Sequence, residues 1–110
     1  MFAVLNDKPV GMIGYYFEDK IKTKHVANIY GIYVTRAHRN QGIGSKLIAS
    51  AISAIKGNKD ILKIKLTVNP EQKFALKLYR KHGFSDVGTF RNELCINSRF
   101  YDELIMERPV

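Results

Sequence analysis

Hydrophobic and polar positions change their period several times along the chain, and each change predicts a new element. Aromatic and β-branched runs predict strands over 2–5, 10–17 and 25–35, with turns at 6–9 and 18–24. Gly31, inside the third run, is expected at a bulge or a close backbone approach. A fourth strand is predicted over 61–68, where apolar residues alternate with Lys63, Lys65 and Thr67: Leu62, Ile64, Leu66 and Val68.

Two segments have helical periodicity instead. A helix is predicted over 44–56, ended by Gly57, from the spacing of Leu47, Ile48, Ala51, Ile52 and Ile55. A second helix is predicted to open at Asn69-Pro70-Glu71-Gln72, which offers a cap, a first-turn proline and a reciprocal Gln, and to run to Gly83. Strands over 84–96 and 99–107, joined at Asn97-Ser98, are predicted to close the chain as a hairpin.

The predicted order is β-β-β-α-β-α-β-β. A helical crossover between strands 25–35 and 61–68 makes that pair parallel, in a sheet that is otherwise largely antiparallel. The sequence therefore predicts an α/β (α+β) fold with a mixed, mostly antiparallel sheet and two flanking helices. With 110 residues, we expect a single domain over 1–110.

Composition excludes several classes of protein. Hydrophobic residues make up 45% and charged residues 25% of the chain, which is globular rather than disordered, collagen-like or a disulfide scaffold. No apolar run is long enough for a membrane span, and no secretion signal is recognisable. The single Cys95 can form no internal disulfide and has no CxxC partner for zinc, so we expect a cytoplasmic protein without a metal. Cys95 itself is expected to pack within an apolar strand.

The formal net charge of +8 is concentrated in the middle of the chain. Between Ile21 and Lys59 there is no Asp or Glu, and the basic residues are Lys22, Lys24, Arg36, Arg39, Lys46, Lys56 and Lys59. This acid-free window indicates either a solvated basic face or an anionic ligand. Tyr30 and Tyr33 are strand positions and do not interleave with the basic residues, so no nucleic-acid partner is expected.

A glycine-containing turn inside this window leads from a strand into a helix. Here, successive backbone N–H groups and the positive helix end can face a phosphate, and Gly42 and Gly44 allow an anion to approach the main chain. The spacing fits neither the dinucleotide pattern GxGxxG nor a Walker A loop. The turn is therefore interpreted as a phosphate-binding loop of another kind.

At this point the sequence resembles the GNAT superfamily of N-acetyltransferases. Arg39-Asn40-Gln41-Gly42-Ile43-Gly44 meets the family pattern Arg/Gln-x-x-Gly-x-Gly/Ala on a strand-to-helix loop. Further along, Gln72-x-x-Ala75-x-x-x-Tyr79-x-x-x-Gly83-Phe84 is similar to the second coenzyme A element, Asn-x-x-Ala-x-x-x-Tyr-x-x-x-Gly-Phe. The resemblance covers about residues 3–108.

The resemblance implies a function and a set of site residues. It implies acetyl transfer from acetyl-CoA to a primary amine, with main-chain groups of Ile32, Tyr33 and Val34 pairing with the pantetheine arm between two splayed parallel strands. Tyr79 would give its proton to the departing thiolate. The other implied coenzyme A contacts are Arg39, Asn40, Gln41, Gly42, Ile43, Gly44, Ser45, Gln72 and Ala75, while His38 either touches phosphate or faces water.

The general base is left open. Many family members carry a Glu where this chain has Asn28, so the alternatives are His25, a water relayed by Asn28, His25 or a main-chain carbonyl, and Asp102 or Glu103 folding into the cleft. Without a base, a lysine-like amine costs about 4.6 kcal/mol to deprotonate at pH 7, against about 1 kcal/mol for an α-amine. A less basic acceptor is therefore favoured. His82 is expected at a helix C-terminus.

Family members usually have a strand and one or two helices before the segment where this chain starts. The resemblance therefore implies an N-terminally short domain, whose acceptor site is completed by another subunit or unusually open, or a shortened reading frame. Because the uncovered apolar surface needs a partner, we expect a homodimer. The alternative function is a coenzyme A binding module with little or no catalytic activity.

Overall fold

The computed structural model describes residues 1–110 and confirms the predicted order of strands and helices, with one short 3-10 helix added at Arg36–His38. The helices are α1 (Ile43–Lys56) and α2 (Lys73–Lys81). The strands are β1 (Phe2–Leu5), β2 (Lys8–Phe17), β3 (Val26–Val34), β4 (Lys63–Val68), β5 (Ser85–Ile96) and β6 (Arg99–Pro109). Neither α1 nor α2 has the length and apolar character that a membrane-spanning helix requires.

The six strands form one sheet in the order β1-β2-β3-β4-β6-β5. Every neighbouring pair is antiparallel except β3 and β4, which confirms the mixed sheet predicted from the sequence. The parallel pairing covers only three positions and ends where Asn28 lies opposite Lys65, although both strands continue. Beyond that point β3 and β4 separate, so the splayed pair is confirmed.

Both helices pack on the same face of the sheet. The core joins Ile48, Ile52 and Ile55 of α1 and Ala75 and Tyr79 of α2 to alternate positions of the central strands, which are Ile13, Ala27, Ile29, Val34, Ile64, Leu66, Val68, Leu104 and Met106. The intervening positions point the other way, onto a surface that no helix of this chain covers. This surface, called the helix-free face below, includes Met12, Tyr16, Asn28, Tyr30, Tyr33, Lys65, Thr67, Phe90 and Ile105.

Gly31 forms the predicted bulge in β3. Ile32 pairs with Ile13 and Tyr30 with Gly14, so Gly31 has no partner, and its φ of 62° suits a residue without a side chain. The extra residue shifts the side-chain alternation by one. As a result Ile32 packs against the core while Tyr30 and Tyr33 both lie on the helix-free face.

The first hairpin turn has fewer residues than the sequence predicts, and the last has the predicted number. Asn6 and Asp7 alone connect β1 to β2, with φ values of 51° and 63°, so β2 begins at Lys8 and the predicted four-residue turn is wrong by two residues. Asn97 and Ser98 turn in the same way, which confirms the predicted closing hairpin. Both are two-residue turns that need positive φ, a conformation that Asn and Asp tolerate.

Three further local predictions are wrong. The helix predicted to open at Asn69 begins at Lys73, because the Asn69 side chain accepts a hydrogen bond from the Glu71 N–H at 3.0 Å and closes a turn of its own. Gln72 precedes the helix without a side-chain capping bond, so the reciprocal cap is absent. Cys95 is exposed rather than packed, because β5 is an edge strand whose outer half extends beyond the helix-covered part of the sheet.

Candidate functional site

The turn between β3 and α1 presents a row of unpaired backbone amides. None of the six N–H groups from Asn40 to Ser45 has an acceptor within the protein, and the first bond of α1 runs from the Lys46 N–H to the Gly42 carbonyl at 3.0 Å. Asn40 and Gly42 have φ values of 63° and 79°, which fold the chain so that successive amides converge. Because no acidic residue lies in the first turn of α1, this row can receive an anion.

Arg39 anchors the turn to both neighbouring elements. Its Nε donates to the Val34 carbonyl at 3.0 Å, and its guanidinium carbon lies 4.8 Å from the centre of the Phe74 ring on α2. The two Nη groups have no acceptor within the protein and stay available to a ligand. His38, expected to touch phosphate or face water, instead shares a 2.8 Å hydrogen bond with the Thr35 hydroxyl.

Two adjoining clefts run along this turn, and both include Arg39 and Phe74. The first has a volume of about 270 Å³, and its predicted site residues are Val34, Arg39, Asn40, Gly42, Gly44 and Ser45. The second has a volume of about 400 Å³, and its predicted site residues are Ile32, Tyr33, Arg39, Gln72 and Ala75. Of the other predicted residues, Gln41 adds its amide to the row and Ile43 turns toward a groove beside β1.

Sequence reasoning missed two lysines in the first cleft. Lys77 and Lys81 of α2 lie one helical turn apart and line it with Asn40 and Ser45, and no carboxylate is among the lining residues. Neither lysine takes part in any of the four ion pairs of the chain. Their i, i+4 spacing on a predicted helix indicates that both lysines lie on one face of it. Both lie outside the acid-free window between Ile21 and Lys59, on which the prediction of an anionic ligand was based.

Gly44 has a packing role as well as a predicted ligand role. A Cβ at this buried position would lie 2.5 Å from Leu78 Cδ1 and 3.3 Å from Phe74 Cζ. The absence of a side chain therefore lets α1 and α2 approach each other. At Gly42, by contrast, a Cβ would meet nothing within 4 Å, so its positive φ is what favours glycine there.

The main chain of β3 faces the gap between β3 and β4 at alternate residues. The Thr35 N–H donates to the Val10 carbonyl, so residue 35 faces β2 and Val34 faces the opposite side. The same alternation points the amide groups of Ile32 into the gap and those of Tyr33 toward β2. Since β4 has diverged, the Ile32 groups and the Val34 N–H have no strand partner on that side.

Tyr79 is 2% exposed and lies at the end of α2. The turn at Gly83, which has a φ of 89°, ends the helix, and the Phe84 N–H donates to the Tyr79 carbonyl at 3.1 Å. The rings of Tyr79 and Phe84 meet edge to face, with their centres 5.8 Å apart. Burial raises the pKa of the Tyr79 phenol to about 12. The hydroxyl makes no hydrogen bond within the chain, and Tyr79 lines neither of the two clefts described above.

His82 ends α2, as predicted from its position before Gly83. Its carbonyl accepts a hydrogen bond from Arg108 at 2.8 Å, and its ring Nε2 is buried without a partner. Burial, followed by the charges of Lys81 and Arg108, lowers the pKa of the imidazole. His82 is therefore a neutral group that closes the helix, away from both clefts.

A carboxylate that sequence reasoning missed lies where the parallel pairing ends. Glu18, just after β2, accepts a hydrogen bond from Asn28 Nδ2 at 2.7 Å and forms an ion pair with Lys65 Nζ at 3.0 Å. These two donors lower the pKa of the Glu18 carboxyl to about 2. Glu18 thus joins the last paired residues of β3 and β4, and we call the trio Glu18, Asn28 and Lys65 the fork apex.

The other candidate bases lie away from the fork apex. A third cleft of about 420 Å³ opens beside Asn28 and Lys65 on the helix-free face, and neither His25, Asp102 nor Glu103 lines it. Asp102 instead accepts a hydrogen bond from the Asn92 N–H at 3.0 Å within the β5–β6 hairpin. Of the side chains named as alternatives, only that of Asn28 belongs to a residue lining this cleft.

The sequence and the fold of this chain are similar to those of known acetyltransferases. A model of the acetyltransferase (GNAT) family matches residues 1–84. L-amino acid N-acetyltransferase AaaT of Escherichia coli K12 is 28% identical over 108 residues, which cover 98% of this chain and 66% of AaaT. The crystal structure of a GNAT acetyltransferase from Streptococcus pneumoniae has a TM-score of 0.91 at 26% identity, over 99% of this chain and 65% of that one.

A more distant structure shares the fold. NAA60 of Arabidopsis thaliana, crystallised in complex with acetyl-CoA, has a TM-score of 0.81 at 18% identity, over 94% of this chain and 67% of that one. This chain spans about two thirds of the length of each of the three named relatives.

Proposed function

The chain belongs to the GNAT acetyltransferase family, and from that premise we propose that it is an acetyl-CoA-dependent N-acetyltransferase acting on a primary amine of a small molecule or protein. The observation that carries the proposal is the row of six unpaired amides from Asn40 to Ser45, which adjoins the gap between β3 and β4. A diphosphate fits the first feature and an extended acyl-thioester arm fits the second. We propose that residues 1–110 act as one domain.

The residues of the clefts suit coenzyme A. The amides of 40–45 and the free Arg39 Nη groups would hold the diphosphate. The amide groups of Ile32 and the Val34 N–H would pair with the pantetheine arm, while Tyr33, Gln72 and Ala75 wall the same cleft. Ile43 packs beside the core and supports the loop.

The proposed acetyl transfer uses groups on both sides of the gap between β3 and β4. The amine nitrogen attacks the thioester carbonyl carbon, and the C–N bond forms as the C–S bond breaks. One amine proton passes to water, the thiolate takes a proton from the Tyr79 phenol, and water returns a proton to the Tyr79 phenolate. With a pKa of about 12, the phenol acts as the sulfur departs, because transfer to a free thiolate of pKa near 8.5 would be uphill. Glu18, with a pKa of about 2, is not the base. A less basic acceptor remains favoured, and AaaT is named for L-amino acids, which carry an α-amine.

An amine-panel assay tests the proposal. Thiol release from acetyl-CoA is followed with amines of graded basicity, beside calorimetry with coenzyme A alone. Turnover supports the enzyme. Tight binding of coenzyme A without turnover of any amine supports the alternative, a coenzyme A binding module. Two features favour this alternative: Glu18 is bound to Asn28, and Asn28 stands where many family members carry a Glu as the base. Absence of coenzyme A binding contradicts both.

Lys77 and Lys81 are expected to add long-range attraction for the phosphates. The double variant Lys77→Gln/Lys81→Gln should bind coenzyme A about tenfold more weakly and with a shallower dependence on salt, because the two charges are exposed and screened. The matched control is Lys56→Gln/Lys59→Gln, which removes the same charge at the far end of α1. Equal affinity and salt dependence in the two double variants would remove the lysines from the site.

The homodimer and the cytoplasmic location stay predictions. The support for a dimer is the set of apolar and aromatic side chains on the helix-free face, of which Met12, Tyr16, Tyr30, Tyr33 and Phe90 are exposed. Sedimentation should show dimers at micromolar concentration, with specific activity falling as they dissociate. A fully active monomer at every concentration would contradict this. The support for the location is the single free Cys95.

A further inference from the structure

We infer that the acceptor amine binds on the helix-free face, where it donates an N–H to Asn28 Oδ1, and that Glu18 is the positioning residue that fixes this orientation of the Asn28 amide. The acceptor class that fits is a primary amine carried by an apolar or aromatic group without a second charge. The inference rests on the proposed acetyl transfer. It concerns residues that the coenzyme A clefts do not include.

The orientation of the Asn28 amide follows from its partner. An ionised carboxylate can only accept hydrogen bonds, so the group 2.7 Å from Glu18 Oε2 must be the NH₂ of Asn28. Its Oδ1 then points away from Glu18. That oxygen has no partner within the protein and is not sealed from solvent, although Asn28 is only 8% exposed. An acceptor oxygen is therefore left open at the cleft, beside the start of the gap.

The Glu18 carboxylate is already bound to the other two residues of the fork apex. The same Oε2 atom receives the Asn28 amide and the Lys65 ammonium, and the two donors come from strands that separate immediately afterwards. Its charge is balanced by Lys65, which leaves little attraction for an ammonium ion. Glu18 accordingly acts through Asn28, and the amine loses its proton to water before it attacks.

The cleft beside Asn28 determines the acceptor class. Tyr16 and Tyr30, whose ring centres lie 5.9 Å apart, form one wall, and Phe90 and Ile105 form the other. Lys65 is the only charged residue of its lining, and it is paired, whereas the carboxylates of Glu18 and Asp19 line a neighbouring cleft on the other side of Asn28. A second cationic group on the acceptor would find no counter-ion there, whereas an apolar or aromatic group would bury surface against the rings.

Substitutions at the fork apex test the positioning role. Asn28→Ala should raise KM for L-phenylalanine amide, an α-amine with an aromatic group and no second charge, about tenfold, the value of one hydrogen bond, while calorimetry shows an unchanged Kd for coenzyme A. Glu18→Gln should raise KM similarly, because the Asn28 amide is then free to turn. The double variant Glu18→Gln/Asn28→Asp exchanges donor and acceptor, keeps a charge partner for Lys65 and leaves one oxygen for the amine, so KM should return toward the wild-type value. Ser53→Ala, on the exposed side of α1, is the control.

The outcomes separate this inference from the proposed function. If thiol release proceeds and Asn28→Ala has the wild-type KM for every amine, or the double variant is no better than either single variant, the positioning role is wrong while the acetyltransferase stands. If L-arginine amide, which adds a second cationic group, has a higher kcat/KM than L-phenylalanine amide at the same pH, the acceptor class is wrong. If coenzyme A does not bind at all, the proposed function fails first.

Discussion

Replacing Arg39 by Ala is expected to weaken coenzyme A binding about 100-fold, because charge-assisted hydrogen bonds to phosphate contribute about 1.5–3 kcal/mol. The Nε of Arg39 is already bonded to the Val34 carbonyl, and Phe74 lies under the guanidinium, so the free Nη groups are held in place before a ligand arrives. Little ordering is then required on binding. Calorimetry with coenzyme A measures the effect.

The control for Arg39 is Arg36→Ala. Arg36 begins the short 3-10 helix that ends just before Arg39, is exposed and makes no side-chain hydrogen bond or ion pair within the chain, so its loss should change affinity little. Because Arg39→Ala also frees the Val34 carbonyl, its Tm is measured in parallel. If Arg39→Ala retains wild-type affinity, or loses no more than Arg36→Ala, the diphosphate lies elsewhere.

Tyr79→Phe is expected to lower kcat about 100-fold at unchanged Kd for coenzyme A, the effect of removing a proton donor needed only as the thiolate departs. Since the Tyr79 hydroxyl makes no hydrogen bond within the chain, the Phe variant should fold with undiminished stability. An unchanged kcat, with chemistry shown to be rate-limiting, would make Tyr79 a core residue alone. Single-turnover measurements separate these cases.

Because of Tyr79, the stability of the folded protein is expected to fall as the pH rises above 10. Burial raises the pKa of the phenol from 10.0 to about 12, so the folded protein keeps its proton longer than the unfolded chain. Its contribution to stability is complete below pH 10 and is lost as the pH rises toward 12. The rate should therefore show no alkaline decline due to Tyr79 between pH 8 and 10, and the Phe variant should lose the stability change above pH 10.

The local elements of this protein could be predicted from its sequence. The period of the apolar residues along 44–56 and 61–68 distinguishes a helix from a strand without knowledge of the rest of the chain. Gly31 and the Asn97-Ser98 turn are likewise local, since each depends on φ values that few residues adopt. The glycine turn after β3 follows from the same kind of information, because its amides belong to consecutive residues.

Only the tertiary structure decided which distant side chains meet. Glu18 reaches Asn28 across a turn and Lys65 across a strand, and Lys77 joins Asn40 through the packing of α2 on α1. The exposure of Cys95 and the packing of Gly44 against Leu78 also depend on elements far apart in the chain. Side-chain period and backbone conformation act over a few residues, whereas these contacts depend on how the sheet and helices are assembled.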